Sequence, residues 1–536
     1  MPHLKIEPIA VFILQELVDH GYQAYLVGGA VRDLLIHQFN RPPASRSNDS
    51  TENYAPDELS QLDYDIATNA TPDQIQQVFP ESFYENQFGT VSLTTEHAAQ
   101  LAGLSLPVLT FPPTRPKIID YAQATKLHQS LVPPESQPQP PKLRPNLEIT
   151  TFRSEGVYQD HRRPSQVSWG PTIEADLARR DFTINAMALR LLTHFDITTP
   201  HPLILANADY SIMDPYQGLS DLRHKIIKTV GHPPDRFAED ALRLLRAVRL
   251  SVQLGYAIEP TTLAAIHQQA SLIAHISAER IRDELLKILA SAQPALGIKL
   301  LDQTQLLPQI LPELLATKNV KQGGHHATDV WIHSLDSLQW CPSSDPIVRL
   351  ATLLHDIAKP QTQSVSSQNI SFYNHEVIGS RMAYQIAHRL RLSKHDCQRI
   401  FTLVRYHMFH YQPHDTDAAI RRFMRQVGLN NLDDILDLRE ADRLGSGASQ
   451  TSWRLEEMKQ RMIEQLHQPL EIKDLAVNGH DLREHFKLEP GPVYRKILQH
   501  LFEQVFDQPE LNKKEKLLEL TTEYLQSATR SSPGRN

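Results

Sequence analysis

Two carboxylates in Leu62-Asp63-Tyr64-Asp65-Ile66-Ala67-Thr68 offer the chain's clearest opportunity for chemistry. Alternate residues of a strand project to one side, so Asp63 and Asp65 would present together the oxygen ligands that a pair of divalent ions and a triphosphate require. Upstream, Gly28 and Gly29 separate the apolar Tyr25-Leu26-Val27 from a helical pattern over Ala30–Phe39. Glycines there let the backbone approach an anion and aim helix N–H groups at it. Asp-x-Asp alone fits an acidic turn equally well; its position after strand, Gly-Gly and helix is what favours a nucleotide-phosphate site.

Further polar residues follow in defined places. Glu148 alternates with apolar residues in Leu147–Arg153 and is the candidate third carboxylate, expected on the sheet face of Asp63 and Asp65. The runs Arg153–Pro164 and Asp176–Ala188 are rich in arginine. Such guanidinium groups hold phosphates by bidentate contacts, and a carboxylate such as Asp181 accepts from a ribose hydroxyl. For either run alone, a solvated loop entering a helix is an equal reading. Pro233–Leu250 reads as one long helix, with Leu242, Leu245 and Val248 on one stripe and Arg236, Glu239, Asp240 and Arg243 on another. A carboxylate and a guanidinium one turn apart can read a base edge as well as pair with each other.

A second constellation lies beyond Gly324. His333 sits in the helical pattern Asp329–Leu338, and His355-Asp356 ends the apolar helix Leu350–Lys359. His375, His407 and Asp442 follow, on or beside helical segments. A His-Asp doublet closing a buried helix is costly unless paired or bound to metal. His333, His355, Asp356 and Asp442 form the specific combination; His375 and His407 are either further ligands or ordinary helix residues.

These groups must be positioned by a chain of 536 residues, too long for one core, so two to four domains are expected. The 40% hydrophobic and 22% charged content describes a soluble globular protein. A net charge of -8 disfavours indiscriminate nucleic-acid binding and leaves room for a local basic groove. The opening residues read as an amphipathic helix rather than a leader, and no apolar run reaches transmembrane length, so a cytoplasmic location without membrane contact is expected. Cys341 and Cys397 are too few for a metal cage. Polar loops are predicted over 40–61 and, Pro/Gln-rich, over 97–145, with the chain from Asp235 to about Leu315 read as all-helical.

Val27–Asp33 with Asp63-Tyr64-Asp65, Glu148–Pro164, Arg179–Ala188, Asp214–Leu222, Glu239–Arg243 and Glu279–Glu284 together resemble the bacterial-type (class II) CCA-adding enzyme and poly(A) polymerase family, over roughly residues 20–300. The resemblance implies an α+β fold: a DNA polymerase beta-type nucleotidyltransferase head with a mixed/antiparallel sheet, then an all-α neck, body, HD domain and tail. On that pattern the head covers 1–190, a neck with the base-recognition helix 191–290, a body or linker 291–325, a helical metal domain 326–446 and a tail 447–536. Gly28 and Gly29 would hold triphosphate, and Asp63 and Asp65 two Mg2+ ions. Arg180 and Asp181 would recognise ribose, Asp240 and Arg243 would read CTP and ATP, and Arg32, Arg153, Asn185 and Arg246 would complete the nucleotide contacts. The implied activity is template-independent addition of CMP and AMP to the tRNA 3' end. Alternatives are an enzyme adding only CC or only A, a poly(A) polymerase, or a metal phosphohydrolase. His333, His355, Asp356 and Asp442 are similar to the HD phosphohydrolase domain fused to some members, which implies a divalent transition metal there. The oligomeric state is not specified by the sequence.

Overall fold

A computed structural model describes residues 3–39, 64–84, 89–105, 147–154, 158–159, 163–164, 168–170, 172–197, 201–323, 328–366 and 370–530. They fall into two compact units: one runs to Ala316 and includes His388–Leu392, the other comprises Thr317–Ala387 and the chain from Ser393.

The first unit is built on a seven-stranded sheet of β1 (Ala24–Val27), β2 (Asp65–Thr68), β3 (Phe83–Tyr84), β4 (Thr90–Leu93), β5 (Leu147–Thr151), β6 (Ala188–Leu191) and β7 (Tyr210–Met213), in the order β7-β6-β1-β2-β5-β4-β3. Only β2 and β5 run parallel, with Asp65 opposite Glu148; the other neighbours are antiparallel. In β5 Leu147, Ile149 and Thr151 are buried while Glu148 and Thr150 are half-buried, the alternation of a strand with one covered face. The register therefore sets Glu148 on the face that carries Asp65. Helix α1 (Pro8–Asp19) buries Ile9, Ile13, Leu14 and Leu17, α2 (Gly29–Phe39) buries Val31, Leu34 and Leu35, and α3 (Pro72–Val78) buries Ile75. Because β7 pairs with β6, the head sheet continues past residue 190.

Two local expectations change. The excursion predicted over 97–145 does not begin at His97, because Thr95–Leu101 is a helix (α4). Thr94 Oγ1 accepts from His97 N at 3.2 Å, and Ala98 and Ala99 are buried, so a polar cap and an alanine-rich turn suffice to nucleate it. The rest of that stretch and the 40–61 loop lie outside the described residues. The helix predicted over Pro233–Leu250 is two helices, α5 (Pro233–Glu239) and α6 (Leu242–Leu254). Asp240 leaves helical geometry at φ -140°, ψ 104°, and its Oδ1 accepts from Leu242 N at 3.1 Å. A short carboxylate side chain that competes for backbone N–H groups ends one helix and starts the next. Helix α7 (Ala278–Leu289) is tied to α6 by Arg249 Nε donating to the buried Glu284 at 2.5 Å.

The second unit is helical, with α8 (Val330–Gln339), α9 (Pro346–Leu354), α10 (His375–Arg389), α11 (Lys394–Tyr406) and α12 (Leu432–Gly445), plus a hairpin of Gln363–Val365 with Ile370–Phe372. Beyond residue 447 a separate apolar cluster gathers Val477, Leu482, Ile497, Leu501, Phe502 and Leu517. Cys341 and Cys397 are buried and form no disulfide among the described residues. Among the described residues no helix is long and apolar enough to cross a membrane.

Candidate functional site

A cleft of about 300 Å³ in the first unit is lined by Gly28, Gly29, Asp65, Arg179, Arg180, Asp181, Asn185, Asp240, Leu242, Arg243, Arg246 and Arg280. At its floor Gly28 turns the chain from β1 into α2 with φ +72°. A Cβ on it would lie 2.7 Å from Arg180 Nη1 and 3.2 Å from Asp65 Oδ2, so the cationic side chain and the carboxylate both crowd the bare backbone. Arg180 is held there by Asp176, which is 1% exposed. Asp176 Oδ2 accepts from Arg180 Nη2 at 3.1 Å, while its Oδ1 takes Arg179 Nε at 3.0 Å and Arg153 N at 3.3 Å. Burial would raise the Asp176 carboxyl, but Arg180 and Arg179 outweigh it and hold the group below the usual carboxylate range.

Asp181 sits in a chain of polar contacts. Its Oδ1 accepts from Phe182 N at 2.8 Å and Asn185 Nδ2 at 3.2 Å, and its Oδ2 from Arg246 Nε at 2.7 Å. Asn185 Oδ1 in turn accepts from Arg32 Nη1 at 2.8 Å, and Asp33 takes the other edge of Arg32 at 2.7 Å. Against burial, Arg246 and Arg243 keep the Asp181 carboxyl well below its ordinary value. Arg246 Nη2 also stands 2.5 Å from Asp181 Oδ2.

Asp240 and Arg243, the expected base readers, have different ion partners. Arg280 Nη2 donates to Asp240 Oδ2 at 2.8 Å, whereas Arg243 Nη1 donates to Glu239 at 2.6 Å and to Arg236 O at 3.0 Å, and its Nη2 to Arg179 O at 2.8 Å. Each is thus anchored separately, and both line the cleft.

Of the remaining expected residues, Glu148, Arg32 and Arg153 stand outside the lining set. Glu148 is the register partner of Asp65, and Arg32 donates to the lining residue Asn185 and stands beside Gly29. Arg153 Nη2 donates to Thr90 Oγ1 at 2.9 Å; burial beside Arg179 lowers its pKa to about 10. Asp63 lies outside the described residues. Sequence reading missed Arg179, Arg280 and Leu242. Arg179 carried a signal in its adjacency to Arg180; Arg280 lay within the Glu279–Glu284 motif, but its pairing with Asp240, 40 residues away, was not legible there.

The second unit brings together all four predicted metal-ligand residues and adds His375 and His407. His333 Nε2 lies 3.2 Å from Asp442 Oδ1 and 3.4 Å from Asp356 Oδ2, and His355 Nε2 lies 3.2 Å from Asp356 Oδ2 and 3.7 Å from Asp442 Oδ1. The Nε2 atoms of His333 and His355 face each other at 3.2 Å. His355, His375 and His407 each set Nδ1 2.7 Å from a backbone carbonyl, of Thr352, Phe372 and Val404 respectively. Nδ1–H donation of this kind turns the Nε2 lone pair toward the cluster, the tautomer a metal ligand needs. Despite burial, Asp356 and Asp442 raise His355 to about 10, while burial and the charge on His355 lower His407 to about 3. Lys359 Nζ, 2.6 Å from Asp356 Oδ2, adds a positive group.

Close helix contact sets Asp442 in place. On α12, a Cβ at Gly445 would fall 2.7 Å from Ser337 N and 2.9 Å from its Cα, on the helix that carries His333. Gly445→Ala is expected to lower stability by about 1–3 kcal/mol through overpacking, read as a shift in denaturant midpoint at unchanged m.

Residues 24–111 and 123–228 match the poly(A) polymerase head domain family. Residues 255–317 match the family described as the probable RNA and SrmB-binding site of polymerase A, and residues 379–521 the putative domain 2 of tRNA nucleotidyltransferases. Three stretches of the chain thus match domains of poly(A) polymerases and tRNA nucleotidyltransferases. Proteins similar to this chain include the CCA-adding enzymes of Geobacillus sp. strain WCH70, 32% identical over 58% of this chain and 56% of that enzyme, and of Bacillus subtilis strain 168, 34% identical over 56% and 55%. The chain thus spans little more than half the length of these curated relatives. The crystal structure of the Bacillus stearothermophilus CCA-adding enzyme in complex with CTP is similar over 98% of both chains, with 25% identity and a TM-score of 0.57. The family's α+β architecture, a nucleotidyltransferase head followed by helices, is therefore the architecture of this chain. The stretch matching nucleotidyltransferase domain 2 contains His407 and Asp442 but begins after His333, His355, Asp356 and His375.

Proposed function

We propose that this protein adds CMP and AMP from CTP and ATP to the tRNA 3' end, without a nucleic-acid template, in the cytoplasm. The observation that carries the reading is the convergence of Gly28, Asp65, Asp181, Asp240 and Arg243 on one cleft of nucleotide size. The donors at the Gly28 turn are carboxylate oxygens, Asp65 with Glu148 opposite it in register, and this set suits a hard cation. Asp65, joined by Asp63 from the sequence, would hold two Mg2+ ions, which when bound supply charge neutralisation for in-line phosphoryl transfer. The α2 N-terminus at Gly28 and Gly29 cradles phosphate oxygens, and Arg180, pinned by Asp176, offers them a fixed cation. Asp181 accepts from a ribose hydroxyl, and Asp240 and Arg243 present an acceptor and a donor to the base edge. Extension of tRNA lacking CCA tests the activity as a whole.

Base selection has its own test. Arg243→Ala should lower kcat/KM for CTP and ATP by roughly 10–100-fold, the worth of one or two directed hydrogen bonds, and raise the share of UTP and GTP incorporated. Equal losses for all four nucleotides would place Arg243 in folding rather than base reading.

A second activity is favoured by the four convergent ligands of the helical unit. His333, His355, Asp356 and Asp442 would hold a divalent transition metal, which supplies Lewis-acid assistance to hydrolysis of phosphate esters such as a 2',3'-cyclic or 3'-terminal phosphate on RNA. Phosphate release from 3'-phosphorylated RNA should vanish in His355→Ala; its survival would remove His355 from the site.

A further inference from the structure

Resting on the nucleotide-addition reading, we propose that Arg280 is a further base-reading residue of the cleft. Its Nη1 donates to the ring nitrogen that stands beside the exocyclic amino group in cytosine and adenine, while Asp240 accepts from that amino group.

Arg280 lines the cleft together with Asp240 and Arg243, and its two terminal nitrogens have unequal surroundings. Nη2 donates to Asp240 Oδ2 at 2.8 Å, whereas Nη1 is buried and meets no hydrogen-bond partner among the described residues. A brace for Asp240 accounts for Nη2 alone and leaves a charged donor unsatisfied in the interior, which is costly. An acceptor on a bound nucleotide removes that cost. Arg243, the expected donor, is far more occupied: 8% exposed, it spends Nη1 on Glu239 and Arg236 O, and Nη2 on Arg179 O.

The helices hold the pair in place. Arg280 and Glu284 lie four residues apart on α7 and share a face. Glu284, 4% exposed, takes Arg249 of α6 at 2.5 Å, and Leu285, Ile288 and Leu289 are buried on the same helix. Asp240 in turn caps the start of α6 through Leu242 N at 3.1 Å. Guanidinium and carboxylate are thus mounted on one packed pair of helices.

Charge separates Arg280 from the phosphate end of the cleft. Arg179 and Arg180 share the single carboxylate of Asp176 and keep net positive charge to offer a phosphate. Arg280 faces Asp240 one to one, so its charge is largely neutralised and a directed donor remains, suited to a neutral acceptor. An acceptor and a donor side by side match N4 and N3 of cytosine, or N6 and N1 of adenine. Uracil and guanine invert the pattern, setting a carbonyl oxygen against the carboxylate and an N–H against the guanidinium.

Replacing the ring nitrogen of the nucleotide by carbon tests the contact. In single-turnover extension of tRNA lacking CCA, the unaltered full-length chain with Mg2+ should use 3-deaza-CTP about 10–100-fold less efficiently than CTP. With tRNA ending in CC, 1-deaza-ATP should suffer a like penalty against ATP. In Arg280→Ala both penalties should shrink to about threefold or less, since the partner of the deleted atom is gone. Penalties retained in full by Arg280→Ala would assign Arg280 to holding Asp240 and overturn its contact with the base. Absence of any penalty in the unaltered chain would overturn the contact with no variant needed. Failure of the unaltered chain to incorporate CTP and ATP themselves would overturn the transferase reading, and this one with it.

Discussion

Asp65→Ala is expected to cut nucleotide incorporation by about 10³-fold or more, equivalent to about 4 kcal/mol of transition-state stabilisation, with little change in tRNA affinity. The side chain stands at the end of the sheet where Gly28 exposes its backbone, with Asp65 Oδ2 3.2 Å from where a Cβ on Gly28 would lie. Charge neutralisation dominates phosphoryl transfer, so losing an oxygen ligand at this point removes a contribution made chiefly in the transition state. The fold should tolerate the change, because the neighbouring Ile66, Ala67 and Thr68 keep the strand buried and paired on both sides. Single-turnover extension, filter binding of tRNA and a thermal melt together separate these effects. Undiminished extension would remove Asp65 from the chemistry.

Gly28→Ala should be nearly as damaging for a different reason. An L side chain at φ +72° costs about 1–2 kcal/mol, and the new methyl would meet Arg180 at 2.7 Å. Arg180 cannot swing aside freely, since Asp176 grips it at 3.1 Å. Displacement of the phosphate-binding turn by a fraction of an ångström is expected to lower kcat/KM by about 100-fold. Gly255→Ala is the control: Gly255 has φ +68° with nothing within 4 Å of the added Cβ, so it should share the loss of stability and keep full turnover. Equal turnover losses in both variants would assign the Gly28 effect to backbone strain alone.

Much of the head was legible because its signals are local. Strand, Gly-Gly turn and helix occur consecutively, and the alternation around Glu148 correctly set it on the face of Asp65. The His-Asp doublet was legible because an apolar helix ends on two ligand types. What escaped depends on distant partners. The break at Asp240 is a contest between helix propensity, which favours continuation through the leucine stripe, and a carboxylate that takes the Leu242 N–H. The roles of Arg179 and Arg280 come from Asp176, Arg243 and Asp240, brought near only by packing. His375 and His407 stayed ambiguous because a helical histidine reveals its use only through what faces its Nε2, here the second oxygen of Asp356.

The most direct measurement is extension of tRNA lacking CCA, lacking CA or lacking only A, with CTP and ATP supplied singly and together. All three substrates should be completed to CCA when both nucleotides are present. Extension only of the tRNA ending in CC would identify an A-adding enzyme, and failure of every substrate to extend would contradict the transferase assignment itself.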